Sequence, residues 1–365
     1  MIKRPLKLEP KRAAVGAPQI SWWLSGEAKK DAFHFVKGVA LARRAVVSGP
    51  LACIAADWGT TNRRAWALGQ GGEIIDRRKD DGGLLAVQNG GFAESFLAFC
   101  GDWLQRGESG RGVPVIMGGM VGSKLGWKEA PYLRAPVALS RLAENLCSLG
   151  DVAGASVWIV PGVARDDAVQ PEVMRGEECE ILGALQATGV GDGVFLLPGT
   201  HTKWAIVEAG RLSDFRTYMT GEIFGLLRKS GTLSQVMTGD AVDPAAFLQG
   251  VARAGRPETA NLLHSLFSVR TLGLFDRLPP TALPGYMSGL LIGAELRDAA
   301  AWLTATGKAQ TGALRVIGIG APALLKAYGN AAAACQVELT ALDSGDLLPR
   351  ALFSIAQAAG LLRNG

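Results

Sequence analysis

The sequence predicts an α/β protein of two domains, and three observations predict it. The chain has 365 residues, 48% apolar and 19% charged, enough to bury more than one core. Apolar runs of strand length alternate with longer stretches at helical spacing, and 48 glycines, nearly twice the usual ~7%, punctuate them without a fibrous period. A strand, a glycine turn and a second strand occur together twice, near Leu51 and again near Val194. Residues 51–190 and 191–365 are therefore read as two domains behind a separate segment, 1–50.

Leu51-Ala52-Cys53-Ile54-Ala55-Ala56 reads as a buried strand because it is uniformly apolar and runs into a turn, Asp57-Trp58-Gly59-Thr60-Thr61. Arg64 to Leu68 and Glu73 to Arg77, separated by Gly69-Gln70-Gly71-Gly72, carry a hairpin signature. Phe92 to Leu104 has helical spacing. Val113 to Met117 is a strand ending at Gly118-Gly119, and Val157 to Val160 another, ending at Pro161-Gly162. Residues 176–189 read as a helix. Val194-Phe195-Leu196-Leu197 then repeats the opening, running into Pro198-Gly199-Thr200-His201-Thr202-Lys203 and Trp204-Ala205-Ile206. The remainder is mostly helical, with Tyr286 to Leu303 the longest segment. After a strand at Leu314 to Ile319 come a helix from Pro322 and an amphipathic helix over about Pro349 to Leu362.

Residues 1–50 hold ten Lys or Arg against three acids, so this segment carries +7 and leaves −2 for the rest of a chain whose total is +5. A basic excess confined to one terminal segment does not make a nucleic-acid-binding fold, which carries its cations on structured elements. The segment reads as a disordered extension or as the result of a start placed too far upstream. It lacks the apolar stretch and cleavage site of a secretory signal. No apolar run approaches the ~20 residues of a membrane-spanning helix. Five scattered cysteines without C-x-x-C suit a reducing compartment, and His34, His201 and His264 show no metal-ligand spacing. A soluble cytoplasmic protein with no nucleic-acid or membrane partner is expected.

The turn Gly59-Thr60-Thr61 offers backbone N–H groups and hydroxyls that can wrap phosphate oxygens. Asp57 at the strand end supplies a carboxylate for a divalent cation, which takes one or two carboxylates and keeps several waters. The bland alternative is a hairpin turn with a capping Asp. The second turn, Gly199 to Lys203, has similar donors plus a cation, and two opposed turns would grip a triphosphate across a cleft. Neither matches G-x-x-x-x-G-K-[ST].

Asp57-Trp58-Gly59-Thr60-Thr61-Asn62 resembles the phosphate-1 motif of the sugar kinase, heat-shock protein and actin superfamily, and Gly199-Thr200-His201-Thr202 its phosphate-2 motif, a likeness that covers the chain from Leu51 onward. More narrowly, six segments in this order resemble the 2-dehydro-3-deoxygalactonokinase family. They are Gly118 to Ser123 with Gly126-Trp127 and Pro131-Tyr132-Leu133, Met174-Arg175-Gly176-Glu177-Glu178, Leu197 to Trp204, and Tyr218-Met219-Thr220-Gly221-Glu222. The resemblance implies a two-domain actin-like (ribonuclease H-like) ATPase fold with an interdomain cleft, ATP and Mg2+ as cofactors, and a small sugar acid as partner. It implies phosphorylation of 2-dehydro-3-deoxy-D-galactonate at its terminal hydroxyl, giving the 6-phosphate in galactonate breakdown. A homodimer is compatible with it, and the sequence does not fix the oligomeric state.

The residues by themselves reach only an ATP-binding phosphotransferase, a reaction run by positioning and charge neutralisation with a carboxylate to accept the hydroxyl proton. In related carbohydrate kinases that base is the Asp of a Gly-Asp pair opening a helix some two dozen residues before phosphate-2. Gly176-Glu177 occupies this place here, with Glu in the Asp position. Glu178 is the close competitor, Glu180 is assigned to another helix face, and the bland alternative is that these acids complement the helix N-terminus. Asn62 and Arg63 are expected to face the phosphates and Arg64 to point away. Ser123 to Tyr132 is the candidate sugar-acid segment, with Ser123 and Lys124 in it; Lys124, Arg134 or Arg175 would meet the carboxylate. Trp127 and Tyr132 would line the pocket or belong to the core. Gly318-Ile319-Gly320-Ala321-Pro322 follows a strand and opens a helix as the superfamily's adenosine motif does. Two other readings are a kinase for a different aldonate or ketose, and a non-catalytic sugar or nucleotide sensor using residues 1–50 to bind DNA.

Overall fold

The computed structural model describes residues 51–106, 112–256, 261–308 and 314–362, so the expectations for residues 1–50 lie outside it. The first half opens with β1 (Cys53–Trp58), β2 (Arg63–Leu68) and β3 (Ile74–Asp80), then α1 (Phe92–Leu104) and β4 (Val115–Gly119). Short strands follow: β5 (Tyr132–Arg134), β6 (Val137–Ala138), β7 (Cys147–Val152), β8 (Ala155–Ile159), β9 (Gly162–Arg165) and β10 (Glu172–Met174). A helix, α2 (Glu177–Thr188), leads to β11 (Gly193–Leu197), β12 (Thr202–Glu208) and β13 (Arg211–Tyr218). The helices α3 (Thr220–Lys229), α4 (Gly231–Ser234), α5 (Pro244–Ala254), α6 (Leu262–Leu266), α7 (Ser268–Leu274) and α8 (Leu283–Ala305) come next. The chain closes with β14 (Leu314–Gly320), α9 (Pro322–Ala332), β15 (Val337–Asp343) and α10 (Leu347–Ala358), the last helix ending short of Leu362.

Two six-stranded sheets run in the orders β3-β2-β1-β4-β8-β7 and β15-β14-β11-β12-β13-β6. In each, an antiparallel three-strand meander is extended by two parallel strands beside its first member: β1 pairs with β2 antiparallel and with β4 parallel, and β11 pairs with β12 antiparallel and with β14 parallel. This repeated pattern is the duplicated actin-like, ribonuclease H-like architecture. A third sheet, β10-β9-β5, stands apart. Two elements cross between the halves. β6 adds to the edge of β13, and α10 packs back on α2, β1 and β4.

Strand alternation sorts side chains into layers. Cys53 and Ala55 of β1, Trp66 and Leu68 of β2, and Ala205 and Val207 of β12 join one core with α2 and α10 between the two sheets. Ile54, Ala56 and Trp58, with Ala65 and Ala67, face outward onto Phe92, Phe96 and Trp103 of α1. Trp204 and Ile206 face the other way, onto α8 and α9. Both faces of β2 and β12 are therefore apolar, and each strand delivers its polar end residues alternately to the inner and outer layers.

Candidate active site

The first turn follows β1. The carbonyls of Gly59, Thr60 and Thr61 accept hydrogen bonds from the N–H groups of Leu84 (2.9 Å), Leu85 (3.0 Å) and Gly83 (3.1 Å). In a trans peptide each carbonyl opposes the next residue's N–H, so this bracing turns the N–H groups of Thr60, Thr61 and Asn62 outward. Thr60 and Asn62 are exposed and Thr61 half-buried, which makes the turn an open anion cradle.

Asp57 lies on the inner face of β1, and its cross-strand partner in β2 is Arg64. The Arg64 guanidinium donates to Asp57 Oδ2 through Nη2 (2.7 Å) and Nε (3.1 Å) and reaches Glu180 Oε1 at 3.7 Å. Arg63 takes the outer face, buried against Asp80 (2.8 Å) and the Ser95 hydroxyl (2.8 Å). The expected phase of this strand is therefore corrected: Arg64 faces the cleft and Arg63 does not. Opposite Asp57, Gly119 has φ of +86°, and a Cβ there would sit 2.7 Å from Asp57 Oδ1. Only glycine holds that conformation cheaply while leaving the carboxylate open.

Gly176 is the N-cap of α2, and a Cβ on it would lie 3.4 Å from the Gly119 Cα. This contact brings the helix start to the first turn. Glu177 Oε2 accepts from the Arg175 N–H at 2.9 Å. Glu178 is wholly buried, its oxygens held by the Gly176 N–H (2.8 Å) and approached by the Cys179 thiol (3.5 Å). It has no path to an acceptor, so its place as competitor is withdrawn. Contrary to the expectation of another face, Glu180 lies one turn beyond Glu177 on the same face, as a spacing of three demands in a helix. Burial, followed by repulsion from Glu177, pushes Glu178 up to about 7. Burial against the opposing pull of Arg64, with repulsion from Asp57 and Glu177, leaves Glu180 up at about 8.

A second group is built by the small sheet. Parallel pairing of β5 with β9 sets Tyr132 over the Arg175 guanidinium, 4.2 Å from the ring centre. Arg175 is 8% exposed; Nη2 donates to the Ala130 carbonyl (2.8 Å), while Nε and Nη1 have no hydrogen-bond partner among the described residues. The buried Ser123 hydroxyl likewise has no partner among the described residues. Lys124 is exposed, and Arg134 is spent on an exposed ion pair with Asp166 (2.6 Å). Trp127 stacks on Phe92 and meets Trp58 and Phe96, so its ring belongs to the core rather than to a pocket.

The second turn follows β11 at the equivalent strand end. Leu197 occupies the place of Asp57, and Lys203 that of Arg64, as its cross-strand partner. Lys203 is 5% exposed and donates to Thr217 Oγ1 at 2.9 Å. It forms no ion pair among the described residues. Thr202 takes the outer face, its hydroxyl bonded to Tyr328 OH at 3.1 Å, so that side chain does not reach a ligand. The start of α3 seals the turn: the Glu222 N–H donates to the Thr200 carbonyl (2.9 Å), and the Glu222 carboxylate meets His201 Nε2 (2.5 Å). Gly320 lies beside Pro198, with a Cβ placed 3.5 Å from its ring, which sets the β14 turn next to the second turn. Gly318 is a packing glycine instead, since a Cβ would strike Leu325 at 2.8 Å and Leu339 at 3.0 Å.

A duplicated sheet with a turn at the end of each first strand, a carboxylate and guanidinium in one half and a buried ammonium in the other, defines a kinase of the actin-like class. A model of the 2-keto-3-deoxy-galactonokinase family matches residues 57–355, and the chain belongs to that family. It is 36% identical over 243 residues to the 2-dehydro-3-deoxygalactonokinase of Escherichia coli (strain K12), covering 67% of this chain and 78% of the relative. A relative from Rhizobium meliloti (strain 1021), named for the same activity, is 33% identical over 308 residues, 83% of this chain and 96% of its own length. A crystal structure from Sinorhizobium meliloti, also named for it, superposes with a TM-score of 0.76 at 31% identity, over 84% of this chain and 98% of that one.

Proposed function

We propose that the protein transfers the γ-phosphoryl group of ATP to the terminal hydroxyl of 2-dehydro-3-deoxy-D-galactonate, giving the 6-phosphate in galactonate catabolism. One observation carries this reading: two buried cations, Lys203 and Arg175, form no ion pair among the described residues. A buried charge without a counter-charge is costly, and a nucleoside triphosphate and a sugar acid would supply the two missing anions. Lys203 would meet phosphate in the second half. Arg175, with the Ser123 hydroxyl and the Tyr132 ring, would meet the carboxylate in the first.

Phosphate oxygens rest on the outward N–H groups of the first turn and on Gly199 to His201, and the adenosine lies along Gly320. Mg2+ held by Asp57 and phosphate oxygens would neutralise charge developing on the transferring group. Arg64 holds Asp57 in place and faces the same space. The acceptor hydroxyl oxygen attacks the γ-phosphorus as the bond to the bridging oxygen breaks and ADP leaves. The hydroxyl proton passes to Glu177, whose carboxylate is oriented by the Arg175 N–H. Closure of 51–190 on 191–365 would exclude water, the competing acceptor. Five free cysteines, three of them buried, support a reducing compartment such as the cytoplasm for this chemistry.

The test is ADP release with Mg2+-ATP against 2-dehydro-3-deoxygalactonate, its gluconate epimer and neutral hexoses. Strong preference for the galactonate acid, with acceptor KM raised about 100-fold in Arg175→Met, is expected. Equal use of a hexose, or an unchanged KM in that variant, would overturn the acid assignment.

A further inference from the structure

Behind the second turn lies a buried carboxylate that the chemistry above does not use. Glu295 of α8 is 3% exposed. Its Oε1 accepts from the Trp204 indole N–H of β12 at 2.8 Å, and its Oε2 accepts from the Tyr328 hydroxyl of α9 at 2.8 Å. The Thr220 hydroxyl, at the first residue of α3, donates to the same Oε2. Tyr328 in turn bonds the Thr202 hydroxyl of β12. One carboxylate therefore ties together three elements that begin at the nucleotide half-site. Thr202 and Trp204 follow directly on the second turn. Thr220 starts the helix whose Glu222 is bonded to Thr200 and His201. Tyr328 belongs to the helix that opens after Gly320.

We propose that Glu295 is a positioning residue for ATP: it sets the second turn, the α3 start and α9 in one register, so that the backbone groups aimed at the nucleotide stay aligned. The arrangement fits this role better than simple filling of the core. A buried carboxylate is expensive unless its acceptor sites are used, and here every donor comes from a different element of the nucleotide half. Three donors from three elements converging on one carboxylate make a single joint between them.

The test is calorimetric ATP binding to the full chain without acceptor, alongside steady-state kinetics. Glu295→Ala should weaken ATP about tenfold, the scale of one to two lost hydrogen bonds, while acceptor KM at saturating ATP stays within about twofold. Glu295→Gln, which keeps the shape and accepts from Trp204, should recover most of the ATP affinity. A lowered melting temperature with unchanged ATP affinity would reduce Glu295 to a packing role and overturn the proposal, as would an equal rise in both KM values. Should Glu295→Ala fail to fold, Tyr328→Phe removes one hydroxyl and is expected to weaken ATP about two- to fivefold; unchanged binding there would also overturn it. The readout is nucleotide binding, so it stands or falls separately from the identity of the sugar acid.

Discussion

The two turns share a strand-end position and a backbone open to phosphate, yet differ in the charges that flank them. In the first half, Asp57 and Arg64 face each other across β1 and β2 and neutralise one another at 2.7 Å. In the second half the same two positions hold Leu197 and Lys203, so the cation has no carboxylate across the hairpin. On the one repeated scaffold the strand end carries a carboxylate beside the first turn and a leucine beside the second, which leaves the Lys203 ammonium without a counter-charge across its hairpin. Each half also hides a glutamate behind its turn, Glu178 in the first and Glu295 in the second, both pushed up to about 7 by burial before all else.

The sharpest way to break this division of labour is at α2. Glu177→Gln should lower kcat by ~10²- to 10⁴-fold, the range of a lost general base, with ATP affinity nearly intact by calorimetry. An equal loss in Glu180→Gln alone would move the proton acceptor one turn along the helix. Next comes Lys203→Met, which should weaken ATP about 10- to 100-fold, the effect of removing a charged phosphate contact, and leave acceptor KM close to wild type. Asp57→Asn should cost about tenfold at saturating magnesium and more as magnesium becomes limiting, because one carboxylate fewer holds the ion; a magnesium titration of initial rates reads this, and a magnesium-independent defect would count against a metal role. The smallest effect concerns stability. Glu178 and Glu295 titrate near 7 when folded and near ~4.3 when unfolded, so between those values the folded protein binds more protons and stability falls as pH rises. Melting temperature measured from pH 5 to 8 should therefore decline, and Glu178→Gln or Glu295→Gln should each flatten the decline by a few degrees.

Much of the architecture was legible because β1 and β11 are uniformly apolar and each ends at a glycine turn. The phase of the next strand was not. Arg63-Arg64-Ala65-Trp66-Ala67-Leu68 is apolar on both faces, so alternation carries no inside or outside, and only pairing with Asp57 identifies Arg64 as the inner residue. The same holds for Thr202 and Lys203 of β12. Glu180 was recoverable from helical spacing, since it shares a face with Glu177 while Glu178 does not. The small β10-β9-β5 sheet is built from strands of three or four residues, too short for any period to show. Its effect, a tyrosine laid over a buried arginine, is a product of long-range pairing alone. Gly318 and Gly320 look alike in sequence and differ only in what surrounds them, two leucines in one case and Pro198 in the other.

The return of α10 to the first half has a consequence for how the chain is made. Leu348, Ala351, Leu352 and Ile355 of this helix fill the layer against which β1, the first described strand, lays Cys53 and Ala55. Residues separated by nearly the whole described length must meet before that layer is dry, so the amino-terminal half leaves the ribosome with an open apolar flank until the final helix has been synthesised. The nascent chain is in that interval a client for chaperones and a substrate for proteases, and a frameshift or truncation near the carboxyl terminus should be read as damage to the opposite end of the protein.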